Sequence, residues 1–442
     1  MQLKTVFFTV LALILATPLW AVSLLRDPDI EHNLKQLATP VLNAAGLPAG
    51  RIKVLVVDEN TLNAFVIDRS HIFIHAGLLL KLQTAQELQA VIAHEAAHIA
   101  NGHLARRGGN ARAANTVAAF GLALAAAAAA SGSTDLGAAL GIGVQSAAQR
   151  SFFSHTRAEE ASADQSAVRY MARAKVDPQG AVDVMRLFAG QELLSANRQD
   201  PYARTHPLSR DRLRAMEAAA GGHSGRFGPD PAAAYWFARA QSKLAAFYRP
   251  PKWTLKRPDD NAHPDVTRLR KAIAWHRSGQ SQKALSTLRG LIAQTPEDPF
   301  LHELHGQFLL ERRQFSAARS AYAQAVKLAP RNALIVGQYG HALLVSAAPK
   351  DALPHLERAA QLERRDARIL RDLGSAYAQL GRMGMAALLT AERYALQGRP
   401  KDATIHAKRA LDQLKTGSPG WQRAQDVLLE SQAANQTSRR QK

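Results

Sequence analysis

Hydrophobic and polar positions in the first hundred residues alternate between two periods. Apolar side chains recur at helical spacing over residues 30–42, after the helix-start pair Asp27-Pro28. Three shorter apolar stretches then predict strands at 51–57, 64–67 and 71–74. Thr84 with Glu87 forms a capping box, so we expect the next helix to begin there. The pattern predicts a mixed α+β domain.

Beyond a proline-rich stretch near residue 251, the pattern repeats every 34 residues. The small residues that keep this period are Gly306, Gly340 and Gly374, and Ala284, Ala318, Ala352 and Ala386. This period is typical of tetratricopeptide repeats, in which paired antiparallel helices stack on one another. Four repeats are recognisable, and the shorter spacing after Gly381 predicts a final capping helix pair.

The first residues resemble a targeting segment. Lys4 precedes a mostly apolar run, Val6 to Leu19, and Ala21 offers a cleavage point. We interpret residues 1–21 as a cleaved signal peptide, with an uncleaved anchor as the alternative. The 442-residue chain has no cysteine, so any metal site must use histidines and carboxylates.

Most of the net charge of +20 lies in the second half of the chain. From residue 251 onward there are 31 basic and 17 acidic residues. A basic surface can meet anionic lipids, envelope polymers or acidic proteins, and arginine-rich solvated helix faces are the simpler explanation. No nucleic-acid-binding motif is present. The alanine-rich segment 116–146 contains an apolar run shorter than the ~20 residues of a membrane span. It predicts a helical hairpin near the active site, with peripheral membrane contact as the alternative.

The residues with the clearest chemistry are His94-Glu95-Ala96-Ala97-His98. Histidines four apart share one helix face and can bind one metal ion, and Glu95 between them suits a general base. The alternative is a chance occurrence on a surface helix, expected at roughly the few-per-cent level.

The motif lacks a third metal ligand and an acceptor that orients a ligating imidazole. Glu160 and Asp164, four apart on a later predicted helix, are candidates for these two roles. Glu160 can be the third metal ligand, while Asp164 accepts a hydrogen bond from a ligating imidazole. An exposed acidic helix end is the alternative. His103 lies about 140° round the helix from His98, which predicts a structural role. Leu104 stands where the metzincin pattern has a histidine.

Three stretches, HEAAHIANGH, SFFSHTRAEEASAD and THPLSRDR, together resemble the sequence blocks of one gluzincin family. This family includes the CAAX prenyl protease and the HtpX membrane protease. The similarity is greatest to its periplasmic branch, where tetratricopeptide repeats follow the catalytic domain. The resemblance implies one zinc ion per chain, bound by His94, His98 and Glu160, with Glu95 as general base and acid and Asp164 as partner of a ligand.

The resemblance also assigns roles to residues that the spacing alone does not single out. His206 matches a histidine that can approach the metal as a regulatory fourth ligand. Asn63-Ala64-Phe65 matches the edge strand along which a substrate chain lies. His206 and Arg212 are the candidates for stabilising the oxyanion.

These observations predict an α+β, mainly α chain: a zincin-like (gluzincin) metallopeptidase domain followed by an all-α tetratricopeptide solenoid. The expected divisions are a signal peptide (1–21), the zinc metallopeptidase domain (22–250), a linker (251–265), the repeats (266–430) and a disordered tail (431–442).

The resemblance implies a periplasmic zinc endopeptidase acting in quality control and assembly of outer-membrane proteins. Its substrates would be unfolded or misassembled outer-membrane proteins, and its repeats would contact the assembly machinery. A chaperone or adaptor with a largely closed metal site is the alternative. A membrane-bound prenyl-type protease is disfavoured, because no apolar run of adequate length follows the signal.

Overall fold

The computed structural model describes residues 23–105, 157–191, 198–223 and 225–440. The predicted signal peptide and the segment 116–146 lie outside these ranges. The chain divides into two compact units. The first consists of Leu24–Arg249 with Asp260–Val266, and the second is built mainly from Pro250–Asp259 and Thr267–Lys442. Within the described ranges, no helix has the length and apolar character needed to cross a bilayer.

A four-stranded sheet forms one layer of the first unit. Its strands are β1 (Leu24–Leu25), β2 (Lys53–Val57), β3 (Ala64–Val66) and β4 (His71–His75). They lie in the order β1-β2-β4-β3, with β2 and β4 parallel and both outer strands antiparallel to their neighbours. Strand β3 is therefore an edge strand, whose free side can accept another extended chain.

Eight helices of the first unit are described. They are α1 (Pro28–Ala44), α2 (Ala76–Lys81), α3 (Ala85–Ala100), α4 (157–173), α5 (Gln179–Leu187), α6 (Pro201–Thr205), α7 (Arg210–Gly221) and α8 (Pro231–Tyr248). The α+β, mainly helical architecture is confirmed. Strand β2 begins two residues later than predicted, because the amide of Arg51 bonds to the Pro48 carbonyl in a turn.

Helix α3 begins where its capping residues predict. The Thr84 side chain accepts a hydrogen bond from the Glu87 amide, and the Glu87 carboxylate accepts one from the Gln83 amide at 2.6 Å. These contacts satisfy amides that the first turn leaves without intrahelical partners. The local sequence thus fixes the start of the helix that carries both motif histidines.

Buried charges connect α1 with α8. Asp29 is 1% exposed and accepts a hydrogen bond from Arg239 Nε at 2.8 Å. Lys243, fully buried, places its Nζ 3.0 Å from Asp27 Oδ1 and 3.5 Å from Asp29 Oδ2. Burial raises the pKa of Asp29, but the charges of Arg239 and Lys243 outweigh it and lower that pKa. Each charge is therefore compensated where water cannot reach it.

We expect Asp29→Ala to lower the free energy of unfolding by about 3–5 kcal/mol, because it leaves two buried cations without their shared carboxylate. Urea unfolding followed by circular dichroism measures the change. Removing the exposed carboxylate of Asp58 is the control, with an expected effect within about 0.5 kcal/mol. Equal effects of the two substitutions would contradict the structural role of the cluster.

The second unit is entirely helical among its described residues. After α9 (Pro251–Lys256) come five helix pairs. These are α10 (Pro264–Arg277) with α11 (Ser281–Gln294), α12 (Pro299–Glu311) with α13 (Phe315–Leu328), α14 (Ala333–Val345) with α15 (Pro349–Leu362), α16 (Ala367–Gln379) with α17 (Met383–Leu396), and α18 (Pro400–Gln413) with α19 (Pro419–Arg440). The predicted repeats and the closing pair are both present.

Close contacts inside two of the helix pairs explain two of the glycines that keep the 34-residue period. A Cβ at Gly306 would lie 2.8 Å from the Tyr322 ring, and one at Gly340 would lie 2.6 Å from Leu356 Cγ. Either contact is too short, so these two positions require glycine. At Gly374 the nearest side-chain atom would be 3.6 Å away, which is an ordinary contact. Gly374 therefore keeps the 34-residue period although a larger side chain would fit there.

Two segments differ from the predicted divisions. Helix α9 occupies the start of the expected linker, because the buried Arg270 donates to the carbonyls of Thr254 at 2.7 Å and Pro258 at 2.6 Å. Helix α19 continues to residue 440, where a disordered tail was expected from 431. The buried Ser431 and a 3.4 Å contact between Asn435 and Thr404 hold this end of the helix on α18.

Candidate metal centre

Helix α3 brings the two motif histidines to one buried position. His94 and His98 are 6% and 0% exposed, and their Nε2 atoms lie 3.1 Å apart. The alanines beside them are fully buried, and such small side chains allow neighbouring elements to approach the helix closely. The shared helix face expected from the spacing is present.

Helix α4 places both predicted carboxylates against these imidazoles. Glu160 is fully buried, with Oε2 3.2 Å from His94 Nε2 and Oε1 3.3 Å from His98 Nε2. Asp164, one turn further, lies 3.1 Å from His94 Nδ1. Glu160 thus faces the two Nε2 atoms that converge on the site, while Asp164 contacts the Nδ1 atom of His94 on the opposite side of the ring.

Arg212 of α7 extends this chain of contacts. Its Nε and Nη2 donate to the two oxygens of Asp164 at 2.7 and 2.9 Å, and its Nη1 donates to the Pro207 carbonyl at 2.6 Å. Because these donors are already engaged, the guanidinium orients Asp164 and through it His94. This arrangement disfavours Arg212 as an oxyanion-stabilising residue.

His206 lies inside the cluster. Its Nδ1 is 3.0 Å from Glu160 Oε2 and 3.2 Å from His94 Nε2. Its Nε2 is 3.4 Å from Glu95 Oε1 and 3.3 Å from the Ala64 carbonyl oxygen. The imidazole therefore occupies the space between the motif helix and the edge strand.

The strand segment Asn63-Ala64-Phe65 lies at the edge of the sheet, as expected. The Asn63 carbonyl accepts from the His75 amide of β4 at 2.9 Å. Because successive carbonyls of a strand alternate in direction, the Ala64 carbonyl points to the free side, where His206 contacts it. In the turn that follows, the Asp68 carboxylate accepts a hydrogen bond from the Ser70 amide at 2.7 Å.

Two contacts were missed by the sequence-based reasoning. His103, expected to be structural, is 1% exposed and places its Nδ1 2.9 Å from His98 Nδ1. The Tyr202 ring packs on His206 with centroids 4.6 Å apart, and Phe188 packs behind it at 4.7 Å. The signal for Tyr202 is its position four residues before His206.

The charges of the cluster favour ionised carboxylates. Burial raises the pKa of Glu160, but the charge and hydrogen bond of His206 and the hydrogen bond of His94 hold that pKa well below its usual value. Burial lowers the pKa of His94, but hydrogen bonds to Asp164 and Glu160 outweigh it and raise that pKa to about 10. Glu160 is thus in the charge state that a metal ligand needs.

The donor atoms of this cluster fit a metal ion. One ligand atom each from His94, His98, Glu160 and His206 lies within 4.8 Å of the others, and all four residues are buried. Imidazole nitrogen and carboxylate oxygen are ligands that several transition metals accept. Residues 25–220, which contain the whole cluster, match the model of Peptidase family M48.

This part of the chain is an M48 peptidase domain. M48 peptidases are metal-dependent, so the domain is that of a metallopeptidase.

Relatives extend the similarity into the repeats. The Beta-barrel assembly-enhancing protease of Escherichia coli is 23% identical over 403 residues, which cover 89% of this chain and 81% of that protein. A relative from Vibrio cholerae is 28% identical over 193 residues, which are 43% of this chain and 39% of its own length. The chain thus spans less than half of the second protein in that match.

Among solved structures, a tetratricopeptide protein described as "MamA MSR-1 C2" matches 37% of this chain and 96% of its own, with 17% identity and a TM-score of 0.31. "YrrB: a TPR protein with an unusual peptide-binding site" matches 43% of this chain and 99% of its own, with 16% identity and a TM-score of 0.30.

We expect His103→Ala to weaken binding of a divalent metal ion, with zinc as the probe, by about 10- to 100-fold, because His98 loses the partner that orients its imidazole. A chelating fluorophore competing for zinc with the metal-stripped protein measures the affinity. His223→Ala, which removes a half-buried histidine outside the cluster, is the matched control. An affinity equal to that of the control would refute an orienting role for His103.

Proposed function

We propose that the chain is a periplasmic zinc-dependent endopeptidase with one zinc ion per chain, held by His94, His98 and Glu160. The observation that carries this proposal is the convergence of two imidazoles and one ionised carboxylate at a single buried position. Two histidines and a glutamate are a common ligand set of catalytic zinc, which keeps a further position open for water.

Glu95 is placed to move the protons of peptide hydrolysis. A zinc ion bound at the site would lower the pKa of a water molecule and polarise the peptide carbonyl. Glu95 is fully buried on the motif helix, with Oε1 3.4 Å from the His206 nitrogen that lies in the space for substrate. From there it accepts the proton of the attacking water and returns it to the leaving amine. Asp164 and Arg212 keep His94 oriented meanwhile.

The substrate chain is proposed to add to the free side of β3. Main-chain groups of Ala64 are directed there, so an extended peptide can pair with them independently of its side chains. Such recognition suits unfolded or misassembled proteins, whose segments are accessible as extended chain. Helical structures would have to unwind first.

His206 is proposed as a latch that holds the site closed. It contacts Glu160, Glu95 and Ala64 together, so it occupies the positions of the general base and of a paired substrate at once. The ring of Tyr202 supports it from behind. Opening requires α6 and the residues after it to move away from the metal ligands.

The name of the Escherichia coli relative refers to the assembly of β-barrels. We propose the same setting here: misassembled outer-membrane proteins as substrates, and contact with their assembly machinery through the repeats. Export by a cleaved signal at 1–21 is part of this proposal. Membrane contact through 116–146 stays a prediction. The latched position of His206 favours a second candidate, in which the protein acts mainly as a chaperone or adaptor.

We expect Glu95→Gln to reduce proteolysis of an unfolded protein by at least about 1,000-fold, since the general base is lost while the metal ligands remain. Cleavage is measured by gel analysis of an unfolded outer-membrane protein, and bound zinc by elemental analysis. Glu59→Gln, an exposed residue of the same unit, is the control. Retained cleavage by the zinc-loaded Glu95→Gln protein would exclude this mechanism.

The two candidate functions differ in what envelope assembly requires. If proteolysis dominates, Glu95→Gln should fail to rescue assembly in cells lacking the protein. If the adaptor role dominates, Glu95→Gln should rescue it and a chain without residues 267–442 should not. This truncation keeps Asp265, which accepts a hydrogen bond from Tyr235 at 2.8 Å in the first unit.

We expect His206→Ala to raise the rate of peptide cleavage by about tenfold, because the space before Glu95 is vacated. Cleavage of a short quenched fluorescent peptide measures the rate, with zinc content as the control for ligand loss. Phe188→Leu, which loosens the packing behind Tyr202, should raise the rate by a smaller factor. Unchanged or lower activity at full zinc content would rule out the latch.

A further inference from the structure

A cleft of about 530 Å³ in the second unit has cationic side chains and no acidic ones in its lining. It lies between α16, α17 and α18, and we call it the arginine cleft. Its lining includes four small residues, Gly374, Ala378, Ala386 and Ala387. The polar residues that line it and matter here are Arg371, Arg393, His406, Arg409, Thr390 and Gln413.

Two arginines of the cleft have donors to offer. Arg393 Nε is buried and has no hydrogen-bond partner among the described residues. Arg409 is exposed, and no carboxylate of the described residues pairs with it. An anion in the cleft could accept hydrogen bonds from the guanidinium groups that line it.

Two nearby carboxylates pair with arginines other than Arg393 and Arg409. Asp372 accepts from Arg371 Nε at 2.8 Å and lies 3.1 Å from His341. Asp402 pairs with Arg399 at 2.8 Å. The cleft therefore keeps an uncompensated positive charge.

The pKa of His406, which lines the cleft, is affected by the charges of these arginines. Burial lowers the pKa of His406, and the charges of Arg409 and Arg393 lower it further, while Asp402 opposes them. The imidazole is thus neutral at pH 7 and can donate or accept one hydrogen bond without adding charge. The positive charge of the site comes from the arginines.

We propose that the arginine cleft binds a carboxylate of an extended acidic polypeptide, held by Arg393 and Arg409 from neighbouring helices. Guanidinium groups bind carboxylates through paired hydrogen bonds, which a single ammonium cannot reproduce. The occupant is a peptide because the lining also offers groups that recognise a main chain. The Gln413 amide can donate and accept, and Thr390, which donates to Ala386 at 2.8 Å, keeps its oxygen as an acceptor. The small residues of the lining leave room for such a chain.

The full-length protein tests this with a fluorescein-labelled peptide rich in glycine and serine, amidated at its end and carrying aspartates at its centre. We expect measurable binding by fluorescence anisotropy, and an affinity about tenfold or more lower for the analogue with asparagines. Arg393→Gln with Arg409→Gln should weaken binding of the acidic peptide by a similar factor. The matched control, Arg312→Gln with Arg331→Gln, removes two exposed charges outside the cleft and should change binding little.

Equal binding of the aspartate and asparagine peptides, or equal effects of the two double variants, would overturn the proposal. Arg409→Gln alone keeps the test decisive if the double variant does not fold, because that side chain is exposed. Vesicles of phosphatidylglycerol and phosphatidylcholine are the competing ligand. If the arginine pair governs vesicle binding and not peptide binding, the site binds lipid headgroups and the peptide proposal is wrong. Binding is read by anisotropy and needs no cleavage, which separates this result from the proposed proteolysis.

Discussion

The burial of Glu160 among histidines is the constraint on which the first unit depends. A carboxylate without access to water is costly by several kcal/mol unless cationic or donor groups surround it. Here His94, His98 and His206 do so, and Arg212 lies 3.4 Å from its Oε2. The helices that carry these residues must therefore pack together in one arrangement. The same arrangement creates a set of donors suited to a metal ion.

The second unit rests on a different constraint, the close packing of helix pairs at small residues. Gly306 and Gly340 leave space that Tyr322 and Leu356 occupy. Small residues of α16 and α17 also line the arginine cleft. Steric repetition thus explains both the regular stack and the place where a ligand can enter it. The positive charge of the arginine cleft does not follow from this repetition, because its arginines keep no common period.

Prediction from sequence succeeded where the physics is local. Helix spacing places His94 with His98 and Glu160 with Asp164, and the Thr84 cap places the start of α3. It placed His103 off the ligand face, but rotation about one helix axis does not reveal that its Nδ1 meets the far nitrogen of His98. It failed for the tail at 431–440, because polar composition does not show that Ser431 is covered by a neighbouring helix.

The sequence by itself determined the two kinds of unit, the helix that carries the motif and the residue types available to hold a metal. These follow from periodicity and capping, which act within a few residues. Only the tertiary structure decided that Arg212 orients Asp164, that His206 lies against Ala64, and that Arg393 and Arg409 share one cleft without a carboxylate. Such contacts join residues from separate elements, and they depend on packing distances that no local pattern encodes.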